Sequence, residues 1–158
     1  MEPSAGFLSY LMTCALEEAT KAAAQGEVPV GAIIASADEV LVRSHNLTES
    51  RPDSTAHAEM LAIQDASLKL KKWRLTDAIL VVTLEPCSMC VSAAKLARIP
   101  LIVFGARDPR AGAIGSIYDL AADTRTGPSP RIISGILEQE CGVVLKEFFM
   151  GKRRTKSQ

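Results

Sequence analysis

Two short motifs bring together the residues of this sequence that are best suited to metal chemistry. His57-Ala58-Glu59 supplies an imidazole and a carboxylate, and Pro86-Cys87-Ser88-Met89-Cys90 supplies two thiols. One histidine and two cysteines can hold Zn²⁺ and leave its fourth tetrahedral position open for water, as in catalytic zinc sites. Zinc lowers the pKa of that water, and a nearby carboxylate can move its proton. The motifs therefore predict a catalytic zinc site with His57, Cys87 and Cys90 as ligands and Glu59 as the proton-transfer residue.

The Cys-x-x-Cys pair has other uses in proteins, as a redox centre or as half of a zinc ribbon. A ribbon needs a second pair, but the other cysteines, Cys14 and Cys141, are isolated and far apart. Free cysteine behaves as a small hydrophobe, so we expect both on buried faces of terminal helices. A thioredoxin-like pair would not require His57 and Glu59 upstream, so the combined pattern favours the catalytic zinc site.

Three other side chains could be considered as metal ligands. Glu59 follows His57 at an offset that diverges on an ideal helix, so it is a poor second ligand from that turn but can reach water on the metal. Glu85 is expected to make a structural hydrogen bond or to contact a ligand of the metal. His45 is expected in a loop or at a strand end, because three ligands are already present.

Helices and strands alternate along the sequence. Apolar residues at helical spacing predict a first helix that ends near Gly26, and β-branched runs predict strands. The further predicted elements are a hairpin of 30–35 and 40–42, a helix at 56–70, a strand at 78–84, a helix at 86–97, a strand at 99–105, a short helix at 117–121, a weak strand at 131–134 and a helix at 135–149. This order predicts a three-layer α/β/α sandwich with a central mixed five-stranded sheet. Both metal-binding motifs then lie at helix starts, where the helix dipole favours thiolates.

Composition limits the class of protein. The 158 residues can bury the core of one domain, which we place at 1–151, followed by a basic C-terminal tail at 152–158. Hydrophobic residues make up 47%, but no run is long enough to span a bilayer, and the apolar stretch at 7–16 lacks the basic start of a signal peptide. Thiolate ligands suit a reducing compartment, so we expect a cytoplasmic protein without a membrane partner. Aromatic residues make up only 4%, which disfavours a broad base-stacking platform.

Positive charge is concentrated at the C-terminus, although the formal net charge is zero. The basic residues of this end are Lys152, Arg153, Arg154 and Lys156, and no acidic residue lies among them. Such an end is commonly solvated. It can also contact phosphates, which would make binding depend on salt concentration.

The H-x-E and P-C-x-x-C motifs together are the signature of zinc-dependent nucleobase deaminases. The whole sequence resembles the bacterial tRNA-specific adenosine deaminase family, part of the cytidine-deaminase-like superfamily. The segments that carry the resemblance are GEVPVGA (26–32), TAHAEM (55–60), LTDA (75–78), VTLEPCSMC (82–90), VFGARD (103–108), GAIGS (112–116) and FF (148–149). Only the zinc motifs are specific individually, but together the segments cover nearly all of the chain in order.

The resemblance implies hydrolysis of adenosine to inosine at the wobble position, nucleotide 34, of a tRNA anticodon. It implies Zn²⁺ as cofactor, a tRNA anticodon stem-loop as partner, and a homodimer in which the neighbouring subunit helps to build each active site. By the same resemblance Asn46 would contact the flipped nucleotide, Val30 would pack against its base, and backbone groups of Ala58 and Pro86 would bond the base edge. Asn46 could instead simply end the hairpin.

Contacts to the neighbouring nucleotides are implied for Asp108, Phe149 and Arg153. These residues have other possible roles, since Asp108 could cap a turn and Phe149 could belong to the core. Two positions depart from the family pattern. Ser54 stands where the family usually has proline, which is expected to loosen that loop, and Pro109 restricts Asp108 to extended conformations.

Two other functions share part of the pattern. A free nucleobase or nucleotide deaminase, acting on guanine, cytosine or dCMP, would use the same zinc chemistry, and the basic tail and the full-length resemblance favour RNA over these substrates. A structural zinc protein or a non-catalytic subunit of a deaminase is the other alternative. Such a protein would have no need of the Glu59 carboxylate.

Overall fold

A mixed five-stranded sheet forms the centre of the protein in a computed structural model that describes residues 2–156. Its strands are β1 (Gly31–Ala35), β2 (Val40–His45), β3 (Ile79–Leu84), β4 (Leu101–Ala106) and β5 (Arg131–Ser134), in the spatial order β2-β1-β3-β4-β5. Strand β1 is antiparallel to both of its neighbours, whereas β3, β4 and β5 are parallel. The predicted mixed sheet is confirmed.

Helices cover both faces of this sheet. They are α1 (Ala5–Ala24), α2 (Ala58–Leu70), α3 (Ser88–Leu96) and α4 (Glu138–Lys156). Helices α1 and α4 pack against one face and α2 and α3 against the other. Successive strand residues point to opposite faces, so Leu80 and Val82 of β3 join the α2–α3 core while Ile79 and Val81 join the α1 core. The three-layer prediction is confirmed.

The two metal-binding motifs lie at the starts of α2 and α3. His57 is the N-cap residue of α2 and Cys87 is the N-cap residue of α3, both with extended backbone angles. Helix α2 therefore begins one residue after His57, so the histidine precedes the first turn in which it was predicted. Because β3 is a central buried strand, the short connection from its end through Pro86 fixes where α3 begins.

The short helix predicted at 117–121 is wrong. The backbone groups of this segment bond back to the preceding turn instead: Gly115 N donates to Tyr118 O at 2.7 Å and Leu120 N donates to Ala113 O at 2.9 Å. Ile114 and Asp119 form an isolated antiparallel bridge. A short 3₁₀ helix at Thr124–Thr126 follows. The turns around the glycines satisfy the backbone, so no helical hydrogen bonds form here.

Helix α4 is displaced towards the C-terminus relative to the prediction of 135–149. It starts at Glu138 because Gly135 and Leu137 have φ angles of +84° and +52°, which are incompatible with a right-handed helix. It continues to Lys156, so residues 152–156 of the predicted basic tail extend the helix. Residues 157–158 of that tail, and residue 1, lie outside the described residues.

Cys14 on α1 and Cys141 on α4 are buried, as predicted, and none of the four cysteines, all within residues 2–156, forms a disulfide. Within residues 2–156, no helix is both long enough and apolar enough to cross a membrane.

Candidate metal centre and active site

Three metal-binding atoms converge where α2 and α3 begin. Nδ1 of His57 lies 3.6 Å from Sγ of Cys87 and 3.6 Å from Sγ of Cys90. All three donor atoms lie within 4.8 Å of one another. Cys90 is in the first turn of α3 and is fully buried, while Cys87, its N-cap, is partly exposed to the cavity described below. The structure thus brings together the three predicted ligands.

The donor set fits a tetrahedral zinc ion. Zinc–nitrogen bonds of about 2.0–2.1 Å and zinc–sulfur bonds of about 2.3 Å place N and S atoms about 3.5 Å apart at a tetrahedral angle. The observed N–S separation of 3.6 Å agrees with this value. Two sulfur ligands and one nitrogen ligand select a borderline-soft ion such as Zn²⁺ over Mg²⁺ or Ca²⁺. Three protein ligands leave one position for water.

Hydrogen bonds among the three donor groups shift their pKa values in opposite directions. A hydrogen bond from the Cys90 thiol lowers the pKa of Cys87 to about 4, although burial opposes this, and His57 also lowers it. The bond to Cys87, together with burial, raises the pKa of Cys90. The hydrogen bond to Cys87 also raises the pKa of His57. A metal takes the place of the protons that these groups share, so its affinity depends on pH.

Glu59 lies in the first turn of α2 and is only 4% exposed. Burial raises the pKa of its carboxyl group, because the charged form is poorly solvated there. A carboxyl group with a raised pKa next to a reactive water can both accept and donate a proton. It lines the same cavity as His57 and Cys87 without belonging to the three-donor cluster. This placement suits proton transfer.

Two of the three donor residues, His57 and Cys87, line a cavity of about 270 Å³, here called the base cavity. Val30 and Asn46 line it together with His57, Glu59 and Cys87. Its volume is slightly below the range of about 300–1,000 Å³ that is typical of small-ligand pockets, so it suits a ligand no larger than one base. The predicted base contacts Val30 and Asn46 are thus at the metal centre.

The two predicted backbone contacts to the base are already engaged within the chain. Ala58 N donates to Asn46 Oδ1 at 3.0 Å, and Pro86 O accepts from Ala113 N at 2.9 Å. A carbonyl oxygen has a second lone pair, so Pro86 O retains capacity to accept from a ligand. The roles of Ala58 and Pro86 towards the base stay predictions.

A second cavity of about 610 Å³ continues from the base cavity, since Val28, Leu84 and Asp108 line both. We call it the basic groove, after the cationic residues of its lining. They are Arg107, Arg110, Lys152, Arg153 and Lys156. Phe149 also lines the groove and is 38% exposed, so it does not belong to the core. The structure therefore brings Asp108, Phe149 and Arg153, predicted from separate segments, into one groove.

Asp108 lies at the junction between the two cavities. Its Oδ1 accepts hydrogen bonds from Arg110 N at 3.0 Å and Ala111 N at 3.3 Å, so it also caps the turn that was its alternative role. The sequence prediction missed Arg107 and Arg110. Their signal was their position in the segment that follows the buried strand β4, which begins with Arg107.

Residues 6–106 match the family described as the cytidine and deoxycytidylate deaminase zinc-binding region. The chain is 46% identical over 142 residues to a tRNA-specific adenosine deaminase of Bacillus subtilis (strain 168), a match that covers 90% of this chain and 88% of that protein. The chain belongs to the tRNA-specific adenosine deaminase family. This assignment agrees with the predicted zinc ligands and with hydrolytic deamination as the reaction.

Other relatives of this deaminase agree with the assignment. It is 38% identical over 149 residues to a tRNA-specific adenosine deaminase of Streptococcus pyogenes serotype M1, covering 94% of this chain and 87% of that protein. A solved structure from work on A-to-I editing by tRNA:A34 deaminases superposes with a TM-score of 0.84 at 40% identity, over 86% of this chain and 99% of that chain. A guanine deaminase from Nitrosomonas europaea shares the fold, with a TM-score of 0.75 at 24% identity over 89% of this chain and 83% of that one.

His45 and Glu85 of this deaminase are not in the metal cluster. His45, at the end of β2, places Nδ1 3.0 Å from Glu18 Oε1 and Nε2 3.3 Å from Gln25 Oε1. Glu85 accepts hydrogen bonds from the segment 108–116. His45 therefore lies at a strand end, as predicted, and Glu85 makes the structural hydrogen bonds predicted for it.

The loop around Ser54 is closed by Asp53 rather than by a proline. Thr55 N and Oγ1 donate to Asp53 Oδ1 at 2.8 and 2.7 Å, and Ala56 N donates to Asp53 O at 3.1 Å. The loosening expected from Ser54 is therefore opposed by these bonds directly before His57.

Proposed function

We propose that this protein hydrolyses adenosine to inosine at nucleotide 34, the wobble position, of a tRNA anticodon and releases ammonia. The observation that carries the proposal is that the base cavity and the basic groove are joined. A base-sized cavity at the predicted zinc site and Glu59 opens past Asp108 into a groove with five basic side chains. One space suits a single extruded base, and the other suits the phosphates on either side of it.

Zn²⁺ held by His57, Cys87 and Cys90 would supply a water of lowered pKa at the floor of the base cavity. Glu59 would take one proton from this water and pass it to the ring nitrogen, and would then take the second proton from the hydroxyl group added to the base and pass it to the leaving amine, which departs as ammonia. Its burial and raised pKa support this role, because the group must be able to hold the proton between transfers. Water and adenosine are thereby converted to inosine and ammonia.

Recognition of the base falls to Asn46 and Val30. The oxygen of the Asn46 carboxamide is engaged by Ala58 N, which leaves its NH₂ group as the donor for the nucleotide. Val30, only 5% exposed, presents an apolar wall to the face of the base. Backbone groups of Ala58 and Pro86 complete the proposed contacts at the base edge.

Neighbouring nucleotides of the anticodon loop occupy the basic groove in this proposal. Asp108 contacts the nucleotide nearest the target, Phe149 offers an aromatic face, and Arg153 contacts the backbone. Phe149 and Phe148 lie edge to face with centroids 5.4 Å apart, which orders the exposed ring. The cationic lining supports phosphate contacts, whose strength would fall with rising salt.

We further propose a cytoplasmic homodimer that pairs through the layer of α2 and α3. Leu68 on α2, Leu96 at the end of α3 and Trp73 after α2 are exposed apolar side chains on that side of the sheet. Light scattering coupled to gel filtration at micromolar protein would give the mass of two chains. A monomeric mass with full activity would contradict a shared active site.

The deciding experiment incubates zinc-loaded protein with an anticodon stem-loop that carries adenosine at position 34. A matched stem-loop with guanosine at that position, and free adenosine, cytidine, cytosine and guanine, are treated in parallel. Inosine formed only in the first RNA, measured by mass spectrometry after nuclease digestion, supports the proposal. Turnover of a free base or nucleoside, with both RNAs intact, would keep the zinc chemistry and replace the substrate by that of the alternative, a free nucleobase or nucleotide deaminase.

A further inference from the structure

Glu85 is a buried carboxylate that the proposed chemistry leaves without a task. It follows β3 directly, and its side chain is fully buried. Three backbone amides donate to it: Asp108 N to Oε1 at 3.1 Å, Ile114 N to Oε2 at 2.9 Å and Ser116 N to Oε2 at 3.2 Å. The Ser116 hydroxyl also donates to Oε1. Both oxygens of one carboxylate thus hold the two ends of the segment 108–116.

The segment 108–116 is also attached to the chain that carries the metal ligands. Ala113 N donates to Pro86 O at 2.9 Å, and Gly112 forms an isolated antiparallel bridge with Cys87. A Cβ atom at Gly112 would collide with the Glu85 carboxylate and with Asp108 O. The carboxylate therefore lies between the zinc-ligand segment at Pro86 and Cys87 and the turn that begins at Asp108.

Asp108 is the residue that this arrangement places. It lines both the base cavity and the basic groove, and its own backbone amide is fixed by Glu85. Arg107, beside it, extends the arrangement: its Nη1 lies 3.9 Å from Glu85 Oε1 and donates to Ile114 O at 3.3 Å. A shift of the Glu85 carboxylate would change the distance between the metal-binding segment and the groove.

We propose that Glu85 is a positioning residue for substrate recognition. It sets the distance between the zinc-ligand segment and Asp108, so that a base in the cavity and the nucleotide beside it are contacted at the same time. The inference rests on the proposed RNA substrate. Glutamine cannot replace the carboxylate, because one of its two terminal groups is an NH₂ donor that would face backbone N–H donors.

A double-mutant cycle with Glu85→Gln and Asp108→Ala tests this role. The substrate is the adenosine-34 stem-loop, and zinc content is measured for every variant. We expect Glu85→Gln to keep its zinc and to lower kcat/KM on the stem-loop by about 10- to 100-fold, mainly through KM. The kcat/KM of the double variant should be little lower than that of the less active single variant, because both changes remove the same contact.

Multiplicative losses in the double variant would overturn the proposal, as would a loss of zinc equal to the loss of activity. Glu18→Gln serves as a matched control, since Glu18 is a buried carboxylate on α1, in the opposite layer, and is bound by Lys21 and His45. At a temperature where this variant is folded, its loss of thermal stability should leave kcat/KM on the stem-loop unchanged. A loss of kcat/KM as large in Glu18→Gln as in Glu85→Gln would attribute the effect to stability alone.

Ser116→Ala provides the test if Glu85→Gln does not fold, because it removes one donor and keeps the carboxylate. We expect about a threefold loss of kcat/KM on the stem-loop that disappears in the Asp108→Ala background. Wild-type kcat/KM for Ser116→Ala on the stem-loop would overturn the proposal. Failure of the proposed function is distinguishable, since the wild-type protein would then leave the stem-loop unmodified.

Discussion

The side-chain oxygen of Asn46 accepts a hydrogen bond from the backbone N–H of Ala58 at 3.0 Å. This bond ties the end of the β1–β2 hairpin to the first residue of α2, directly between the proposed zinc ligand and the proposed proton-transfer residue. Asn46 is buried, so its carboxamide is fixed by the bond and presents its NH₂ group as a donor. The same residue thus links the frame of the active site to the recognition of the base.

The Asn46→Asp variant should separate these two roles. Aspartate keeps an oxygen for Ala58 N but has no NH₂ group, so we expect near-normal thermal stability. The lost donor should lower kcat/KM on the adenosine-34 stem-loop by about 10- to 100-fold. Asn46→Ala, the control, should lose melting temperature as well as activity. Full activity of Asn46→Asp would show that the NH₂ group does not contact the nucleotide.

Replacing Glu59 by glutamine should abolish turnover while zinc stays bound. Loss of a general acid–base group typically costs about 10²- to 10⁴-fold, and here one carboxyl group serves several proton transfers, so the loss should reach the upper end or exceed it. Single-turnover rates of wild type and variant are compared at stoichiometric zinc content, which atomic emission verifies. Substantial activity in zinc-loaded Glu59→Ala would remove Glu59 from the chemistry.

Substitution of a zinc ligand should remove the metal together with the activity. Cys90→Ala leaves only two donors, so the purified variant should contain less than stoichiometric zinc and form no inosine. Cys141→Ala is the matched control, because Cys141 is a buried free thiol on α4 outside the metal cluster. Zinc release to a chelator should be easier at lower pH, since the thiols and His57 must lose protons to bind the metal. Release independent of pH would argue against thiolate ligands.

The basic groove predicts a salt-dependent affinity for RNA. Removing one phosphate contact by Arg153→Ala or Lys152→Ala should reduce the slope of log K against log salt concentration by about 0.7–0.9. Arg125→Ala is the control, because Arg125 is exposed, pairs with Asp123 at 2.7 Å and lines neither cavity. Fluorescence anisotropy with labelled stem-loop measures the slopes. Equal slopes for wild type and both groove variants would exclude phosphate binding there.

Glu27 should make part of the stability depend on pH. It is fully buried and accepts hydrogen bonds from Glu49 N, Ser50 N and Ser50 Oγ. Burial alone would raise its pKa, but these bonds prevail and lower it from 4.5. A lowered folded-state pKa gives stability that is present above the unfolded-state value and is lost as the pH falls through the folded-state value. The melting temperature of wild type should therefore exceed that of Glu27→Gln at pH 7 and approach it near pH 3. A constant difference between pH 7 and pH 3 would contradict the lowered pKa.

Local patterns in the sequence were sufficient to predict the metal-binding residue types and the three-layer fold. The apolar run at 78–84 predicted the central strand because such a strand is buried on both faces, and β3 is found there. The ligands could be predicted because histidine and cysteine bind metals through their own side chains, and their short spacing is visible in the sequence. They are His57, Cys87 and Cys90. The prediction of a short helix at 117–121 was wrong because the backbone groups of that segment bond to turns around Gly112 and Gly115. The spacing of apolar residues does not indicate such hydrogen bonds.

Residue type and short-range spacing were enough to predict the metal-binding residues, the proton-transfer carboxylate and the order of helices and strands. The basic groove becomes visible only in the three-dimensional fold, because Arg107 and Arg110 after β4 meet Lys152 and Arg153 on α4 across a large separation in sequence. The same is true of the hydrogen bonds of Glu85, whose partners lie more than twenty residues away. Tertiary packing decides which side chains line the same cavity. It depends on contacts throughout the fold, so no single motif in the sequence predicts it.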